Sequence, residues 1–369
     1  MDEAGERAIR FGVIGLRRGE SFVRACQAVG GASVVALYDI DHQRVDAVAQ
    51  GIGAEAHTEL DAFLAADFDV VVVASPMPYH GVQSIAALDA GKHVLSEVLP
   101  CATVDEARQL VDAVNRSGRH YMLAENCVFY DEIEIVKRLH GQGRFGRVYF
   151  GEGDYIHDCN GLWFGPDGEL TWRGKGHLGV YGTHGLGPLL YITGDRVTEV
   201  RCTAIPPGIV HRDVPIATMH LLEMATAGGR TFRTRVDTVS PRPHPSTTYF
   251  SIQGTDGSYE SARSASDVAR IWLRDCHEAS CAAASARWHP LADFAAGTIP
   301  DRLAAPAVEV GHGTSEYWLL RAFCEAVWAG GPMPIDIHQA MDMSLPCLMA
   351  RLSAAEGGGS RAVPDSWEW

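Results

Sequence analysis

The sequence predicts an α/β chain in two parts: a doubly wound parallel sheet over residues 1–126, then an α+β domain with a large, mostly antiparallel sheet over 127–369. Three observations carry this. Short apolar strands alternate with amphipathic helices as far as residue 126. From Arg147 onward the strands lengthen, alternate in polarity and are joined by tight turns, as in an antiparallel sheet with one solvated face. The length, 369 residues with 46% apolar composition, is too great for one ordinary core and about right for two.

Ile9 to Leu16 reads as the first strand, and Gly15-Leu16-Arg17-Arg18-Gly19 as the turn after it. A helix with Phe22, Cys26 and Val29 on one face follows, then a strand from Ser33 to Tyr38 closed by Asp39. This βαβ unit sets an acid 24 positions after Gly15, where a Rossmann fold binds the adenosine ribose hydroxyls and favours NAD over NADP. The fingerprint G-x-G-x-x-G is incomplete, with Arg17 in the place of the second glycine and Glu20 in that of the third. The second glycine admits a pyrophosphate to the backbone; Arg17 and Arg18 offer guanidinium contacts to phosphate instead. The plain alternative is an arginine-bearing surface turn.

Asp41 to Gly51 is helical, and Thr58 is placed to cap a short helix carrying Phe63 and Leu64. Asp69 to Ala74 is the most strand-like run, apolar on both faces as a central parallel strand requires. It stops at Ser75-Pro76-Met77-Pro78, a loop at the sheet's ligand-binding edge, and His80 starts the next helix. Gly91 ends that helix, His93 to Ser96 is the next strand, and Glu97 stands at its carboxyl end before Leu99-Pro100. Thr103 to Glu106 forms a capping box, and His120 to Asn126 is a further strand. In the second part Asp131 to His140 is helical. Strands are expected at 148–157, 198–205, 217–226, 230–239, 249–253 and 268–273, and closing helices at 315–329 and 336–355. Between Asp158 and Gly187 lies an irregular stretch with Trp163, Trp172, Arg173, Lys175, His177, Tyr181, Thr183 and His184. Aromatic faces that stack on sugars and side chains that hydrogen-bond polar ligands make it a binding loop. Ser240 to Pro245 supplies a second wall.

A net charge of −15 argues against nucleic acid and anionic membrane as partners. No apolar run reaches membrane-spanning length, and the acidic N-terminus lacks the apolar core of a secretory signal. Nine cysteines without a C-x-x-C pair, Cys276 and Cys281 being the nearest neighbours, fit a reduced, cytoplasmic protein. His157-Asp158 has the look of a metal pair, but no third ligand stands at a recognisable spacing, so no metal is expected.

Gly15…Gly19, Asp39, Ala74-Ser75-Pro76…His80, Gly91-Lys92-His93-Val94 and Glu97…Pro100, ahead of a large antiparallel sheet, resemble the glucose–fructose oxidoreductase/inositol dehydrogenase (Gfo/Idh/MocA) family. Most of that family carries Glu-Lys-Pro at this strand end, its lysine assisting hydride transfer; here Val98 holds the lysine position. Glu125-Asn126-Cys127, Gly153 to Asp158, Tyr181-Gly182-Thr183-His184-Gly185-Leu186-Gly187-Pro188, Ser240 to Pro243 and Gly311-His312-Gly313 are similar to the branch of NAD-dependent α-N-acetylgalactosaminidase-like glycoside hydrolases. The resemblance implies a tightly held NAD, transient oxidation of the sugar at C3, elimination across C1–C2, addition of water and re-reduction. It implies His184, Tyr181 and Tyr155 as catalytic residues. As cofactor-binding residues it implies Gly15, Leu16, Arg17, Arg18, Asp39, Arg44, Ser75, Pro76, His80, Glu97, Asn126, Trp172 and Arg173. It also implies a glycoside as substrate and a homo-oligomer formed on the exposed face of the large sheet. Two other readings stay open. One is a conventional NAD-dependent sugar or cyclitol dehydrogenase with His184 as base, which Val98 disfavours. The other is a non-catalytic sugar sensor, which the missing glycine favours.

Overall fold

The computed structural model describes residues 8–176, 181–209, 212–242, 247–276, 287–304 and 308–369. In chain order its elements are β1 (Ile9–Ile14), α1 (Leu16–Ala28), β2 (Ala32–Tyr38), α2 (His42–Ile52), β3 (Glu55–His57), α3 (Leu60–Ala65), β4 (Val70–Val73), α4 (His80–Asp89), β5 (His93–Ser96), α5 (Val104–Ser117) and β6 (Tyr121–Leu123). Then come α6 (Asp131–Gly141), β7 (Val148–Ile156), α7 (Trp172–Lys175), α8 (Gly182–Thr193), β8 (Val197–Ala204), β9 (Met219–Thr226), β10 (Thr231–Asp237), β11 (Thr248–Gly254), β12 (Gly257–Glu260), β13 (Arg270–Leu273) and β14 (His289–Pro290). The chain closes with α9 (Ala295–Thr298), α10 (Pro300–Ala304), α11 (Thr314–Ala329), α12 (Ile337–Ala355) and β15 (Arg361–Ala362).

It folds as two compact units: Met1–Phe129 with Ala307–Met341 and Ser366–Trp369, and Tyr130–Pro306 with Asp342–Asp365. The first holds a six-stranded sheet in the order β3-β2-β1-β4-β5-β6, parallel throughout. The order reverses direction between β1 and β4, which is the topological switch point where open α/β sheets bind ligands. Val70 to Val73 in β4 are fully buried, as a strand covered by helices on both faces must be. α11 belongs to this unit, and Phe323 on it packs against Phe11 of β1 with ring centroids 6.1 Å apart.

The second unit holds nine strands in the order β14-β13-β12-β11-β7-β10-β9-β8-β15. All pairs are antiparallel except β7 with β10, which run parallel because α8 and the β8–β9 hairpin intervene. Alternating burial along β9 and β10 gives each strand one core face and one wetter face. The wetter face carries a charge ladder: Arg235 meets Asp154 at 2.9 Å, and Arg233 pairs with Glu152.

Several expectations need correction. Helix α1 begins at Leu16, so Arg17, Arg18 and Gly19 lie in its first turn and not in a loop. Thr58 does not cap α3; its N-cap is Glu59, with no side-chain hydrogen bond. The Thr183 to Pro188 run, expected within an irregular stretch, is helical in α8. Its glycines and proline hide the helix from propensity reasoning, and burial of Thr183 through Leu190 supplies the stability instead. Strand β12 was not anticipated at all.

Candidate active site

The carboxyl edge of the six-stranded sheet is assembled from the ends of β1, β2, β4 and β5. Gly15 caps α1 with φ +82°, and a Cβ there would meet the backbone of Ser75. Gly15 has no side chain to cap this helix, and with the Leu16 amide taken by Asp39 the Arg17 and Arg18 amides of the first turn face the sheet edge for an anion. The Leu16 amide donates to Asp39 Oδ2 (2.7 Å) and the Asp41 amide to Asp39 Oδ1 (3.0 Å), which fixes the acid at the end of β2. Each carboxylate oxygen keeps a lone pair for a ribose hydroxyl. The third fingerprint glycine's task, close contact between helix and strand, falls to Gly19 and not to position 20: a Cβ on Gly19 would lie 2.6 Å from Val13 Cγ1. These features fit an NAD dinucleotide, with Gly15, Leu16 and the first turn at its phosphates and Asp39 at its ribose.

The other expected cofactor residues are placed differently from one another. Arg17 is exposed on the first turn. Arg18 is not turned outward toward an anion: its Nε donates to Glu97 Oε1 (2.8 Å), and its guanidinium also pairs with Glu316 and Ser21. Glu316, from α11, is fully buried and also accepts from Ser21 Oγ (3.1 Å) and the His312 amide (3.1 Å). Burial opposes the charge on Arg18, but the two carboxylates outweigh it and raise its pKa. Arg44 lies between Glu20 (3.6 Å) and Asp41 (3.8 Å). Ser75 Oγ bonds Gln83 (2.6 Å), and Pro76 is exposed. His80 is buried, with Nε2 2.7 Å from the Ser75 carbonyl and Nδ1 2.8 Å from the Leu99 carbonyl. It ties the loop after β4 to the loop after β5, and burial lowers its pKa. Asn126 is buried at the start of a short turn, Asn126–Phe129.

In the second unit α8 lies directly on β7. A Cβ on Gly153 would run into the Gly185 carbonyl, and one on Gly185 into the Gly153 carbonyl and Thr234. This approach, open only to glycine, brings the start of α8 against the end of β7. Tyr155 there packs with His184 (centroids 4.6 Å) and Tyr181 (5.4 Å), and Tyr181 stacks on His184 (6.0 Å). All three expected catalytic residues therefore share one cluster, and Tyr155 and His184 are buried in it. Each tyrosine has its own polar contact. Tyr155 Oη lies 2.7 Å from His157 Nδ1, while Arg173 Nε donates to Tyr181 Oη at 2.9 Å. Burial pushes the Tyr181 phenol up, with Arg173 opposing. Arg173 in turn lies over the Trp172 ring at 4.3 Å.

His157 and Asp158 do not act as a pair: Asp158 Oδ1 accepts from the Asn160 amide (3.0 Å) and side chain (2.8 Å). Trp163 is not a stacking surface, for it is fully buried with Cys159, Val214 and Ile216 beneath Tyr181. His177, Cys281 and the Pro243-His244-Pro245 wall lie outside the described residues. Asp237, at the end of β10, holds the described start of that wall by accepting from Val239, Ser240 and the Ser240 hydroxyl. Sequence reasoning missed Glu316, Ser21 and the contacts of His157; Gly311-His312-Gly313 was a signal near the first of these.

Comparison with known proteins agrees with this architecture. Residues 9–125 match the model of an oxidoreductase family with an NAD-binding Rossmann fold, GFO_IDH_MocA. Residues 216–368 match the C-terminal domain of glycosyl hydrolase 109. The chain is 28% identical to a glycosyl hydrolase family 109 protein of Saccharopolyspora erythraea, covering 97% of this chain and 83% of the relative. It is 29% identical to one of Streptomyces coelicolor, covering 98% and 84%. An oxidoreductase domain protein from Kribbella flavida has the same fold, with TM-score 0.82 at 19% identity over 97% of this chain and all of that one. So does levoglucosan dehydrogenase in complex with NADH and levoglucosan, with TM-score 0.80 at 22% identity, covering 96% and 99%. Residues 9–125 are thus similar to the NAD-binding Rossmann domain of the Gfo/Idh/MocA oxidoreductase family. Residues 216–368 are similar to the C-terminal domain of glycosyl hydrolase 109, and the two curated relatives carry that same family name.

Proposed function

We propose that this chain is an NAD-dependent glycoside hydrolase in which the cofactor is regenerated at every turnover. The observation that carries the reading is the Tyr155–Tyr181–His184 cluster, two phenols and an imidazole brought to ring-centroid distances of 4.6 to 6.0 Å by a glycine-on-glycine helix contact. NAD, when bound, supplies a reversible hydride acceptor for the sugar's C3 carbon. The chain's own residues supply the proton chemistry. His184 serves as base for the proton at C2. Tyr181, whose phenol burial keeps protonated at neutral pH, donates to an oxygen of the sugar. Tyr155 handles a second sugar oxygen. Gly15, Leu16, Asp39 and Asn126 hold and orient the dinucleotide. Arg18, Arg44 and His80 position that edge through their contacts to Glu97, Asp41 and the two loop carbonyls. Val98 in place of the usual lysine supports a hydrolase over a dehydrogenase, since no ammonium stands there to assist net alcohol oxidation.

The test is a panel of aryl glycosides offered in deuterated buffer. Release of aglycone with deuterium at C2 and no net NADH is expected. Accumulation of NADH from free sugars, without aglycone release, makes the protein a dehydrogenase instead. We also propose a cytoplasmic homo-oligomer. Seven of the eight cysteines among the described residues are buried, and the laddered face of the nine-stranded sheet offers the surface for association. Among the described residues no helix is long and apolar enough to cross a membrane.

A further inference from the structure

Two tyrosines face each other in the second unit, yet they are wired oppositely. The Tyr181 oxygen accepts a hydrogen bond from a permanent cation, Arg173 Nε, at 2.9 Å. The Tyr155 oxygen instead lies 2.7 Å from His157 Nδ1, a nitrogen with a lone pair when the ring is neutral and its hydrogen is on Nε2. In that tautomer the phenol donates and the imidazole accepts. The rings meet edge to face, at 80° and 5.6 Å between centroids, so the hydroxyl points at the ring nitrogen and not at the ring face.

The backbone makes this geometry rigid. His157 follows β7 directly, and its amide donates to the Asp237 carbonyl at 2.8 Å. Two residues on, the Cys159 amide donates to the Thr238 carbonyl at 2.9 Å. His157 is thus held in the continuation of the β7–β10 ladder, two positions from Tyr155 and on the same side of the strand. Asp158, the nearest carboxylate in sequence, is occupied by Asn160.

We propose that His157 is the proton acceptor of Tyr155, so that Tyr155 and His157 work as a dyad in proton transfer to and from the substrate; this rests on the hydrolase reading above. In the forward step the O–H bond of a sugar hydroxyl breaks and its proton passes to Tyr155 Oη. In the same step the proton already on Oη passes to His157 Nδ1. The sugar oxygen keeps the electron pair, and the positive charge rests on the imidazolium. The reverse step returns both protons. Tyr181 takes no part in this relay, because its oxygen faces a guanidinium that can accept no proton. His157 is therefore a positioning and proton-accepting residue that acts through Tyr155, and Tyr155 is the group that touches substrate.

The experiment uses four full-length proteins carrying NAD: wild type, Tyr155→Phe, His157→Asn and the double variant. Asparagine offers an oxygen that accepts the same hydrogen bond but takes up no proton at neutral pH, so it preserves a structural role and removes a chemical one. With an aryl glycoside, each single variant is expected to lose about 10²-fold in kcat with little change in KM, and the double variant to lose no more than the worse single one. Full activity in His157→Asn, or losses that multiply in the double variant, overturn the dyad. A second readout needs no turnover. In ¹⁵N-histidine spectra the His157 signals are identified by their loss in His157→Asn, and the Nδ1 signal is expected to move in Tyr155→Phe. An unmoved Nδ1 signal overturns the hydrogen bond and the proposal with it. If wild type retains NAD yet cleaves no glycoside, the hydrolase reading fails, and the ¹⁵N spectra still decide the Tyr155–His157 bond.

Discussion

The carboxyl edge of the first unit and the aromatic cluster of the second handle polarity in opposite ways. At the edge, charges are compensated from within. Arg18 is gripped by Glu97 and Glu316, Asp39 by two amides, and His80 by two carbonyls. What is left for a ligand there is mostly backbone: the open first turn of α1 and the glycine before it. In the cluster the polar atoms sit on side chains that can give or take a proton, and an apolar stack holds them in place. The first arrangement suits holding a large, charged, unchanging molecule. The second suits moving protons. Substitutions at the edge should therefore register in stability and nucleotide affinity, and those in the cluster in rate.

The sharpest test of that division is His184→Ala. It is expected to lower kcat by at least about 10³-fold while the purified protein still carries NAD, measured as nucleotide released on denaturation. Loss of the nucleotide together with the activity would erase the distinction. Arg18→Met should do the reverse. It leaves the buried Glu316 facing Glu97 with no cation between them, and is expected to destabilise the first unit by about 3 kcal/mol in chemical denaturation. Gly185→Val crosses the division, because the cluster depends on helix and strand backbones meeting. About 3 kcal/mol of stability should disappear, along with turnover. Asp39→Ala is milder: NAD affinity by calorimetry should fall about tenfold with thermal stability nearly unchanged.

The smallest effect belongs to the opposite edge of the first unit's sheet. At the amino end of β5, His93 Nδ1 accepts the His120 amide at 3.0 Å, and its pKa is lowered to about 4 by burial, with His120 and Arg119 adding to the shift. The folded state binds fewer protons there than the unfolded one. Stability contributed at neutral pH is accordingly lost as pH falls from the usual histidine value near 6.5 toward about 4. His93→Asn should flatten the denaturation midpoint between those pH values.

Much of the first unit could be read from the chain because its signals are local. β1, β2, β4 and β5 are runs of apolar residues bounded by glycine, proline or an acid, and such runs have few alternatives. The Gly15 turn was harder. Glycine spacing counts positions, whereas the structure needs close contact at Gly19 and absence of a cap at Gly15, and neither follows from the G-x-G-x-x-G template. Arg18 looked like a phosphate ligand because the carboxylate that claims it, Glu316, lies 298 residues away along the chain. In the second unit, Tyr181 and His184 were found by likeness to a family. The helix that presents them was not, because a segment reading Gly-Thr-His-Gly-Leu-Gly-Pro has poor helix propensity and is held by burial alone. The Tyr155–His157 contact was within reach, since i and i+2 on a strand share a face, but in the sequence His157 stands out only beside Asp158, as a metal pair lacking a third ligand.

The return of α11 to the first unit has a bearing on how the protein is made. When residue 129 leaves the ribosome, every strand of the parallel sheet has been synthesised, yet the helix that covers Phe11 and answers Arg18 is still nearly two hundred codons away. Until then the nascent sheet has an uncovered apolar flank, and Arg18 has Glu97 but not Glu316 to pair with at the ligand edge. The Rossmann half completes its assembly late in translation, after most of the sheet that follows it has already emerged.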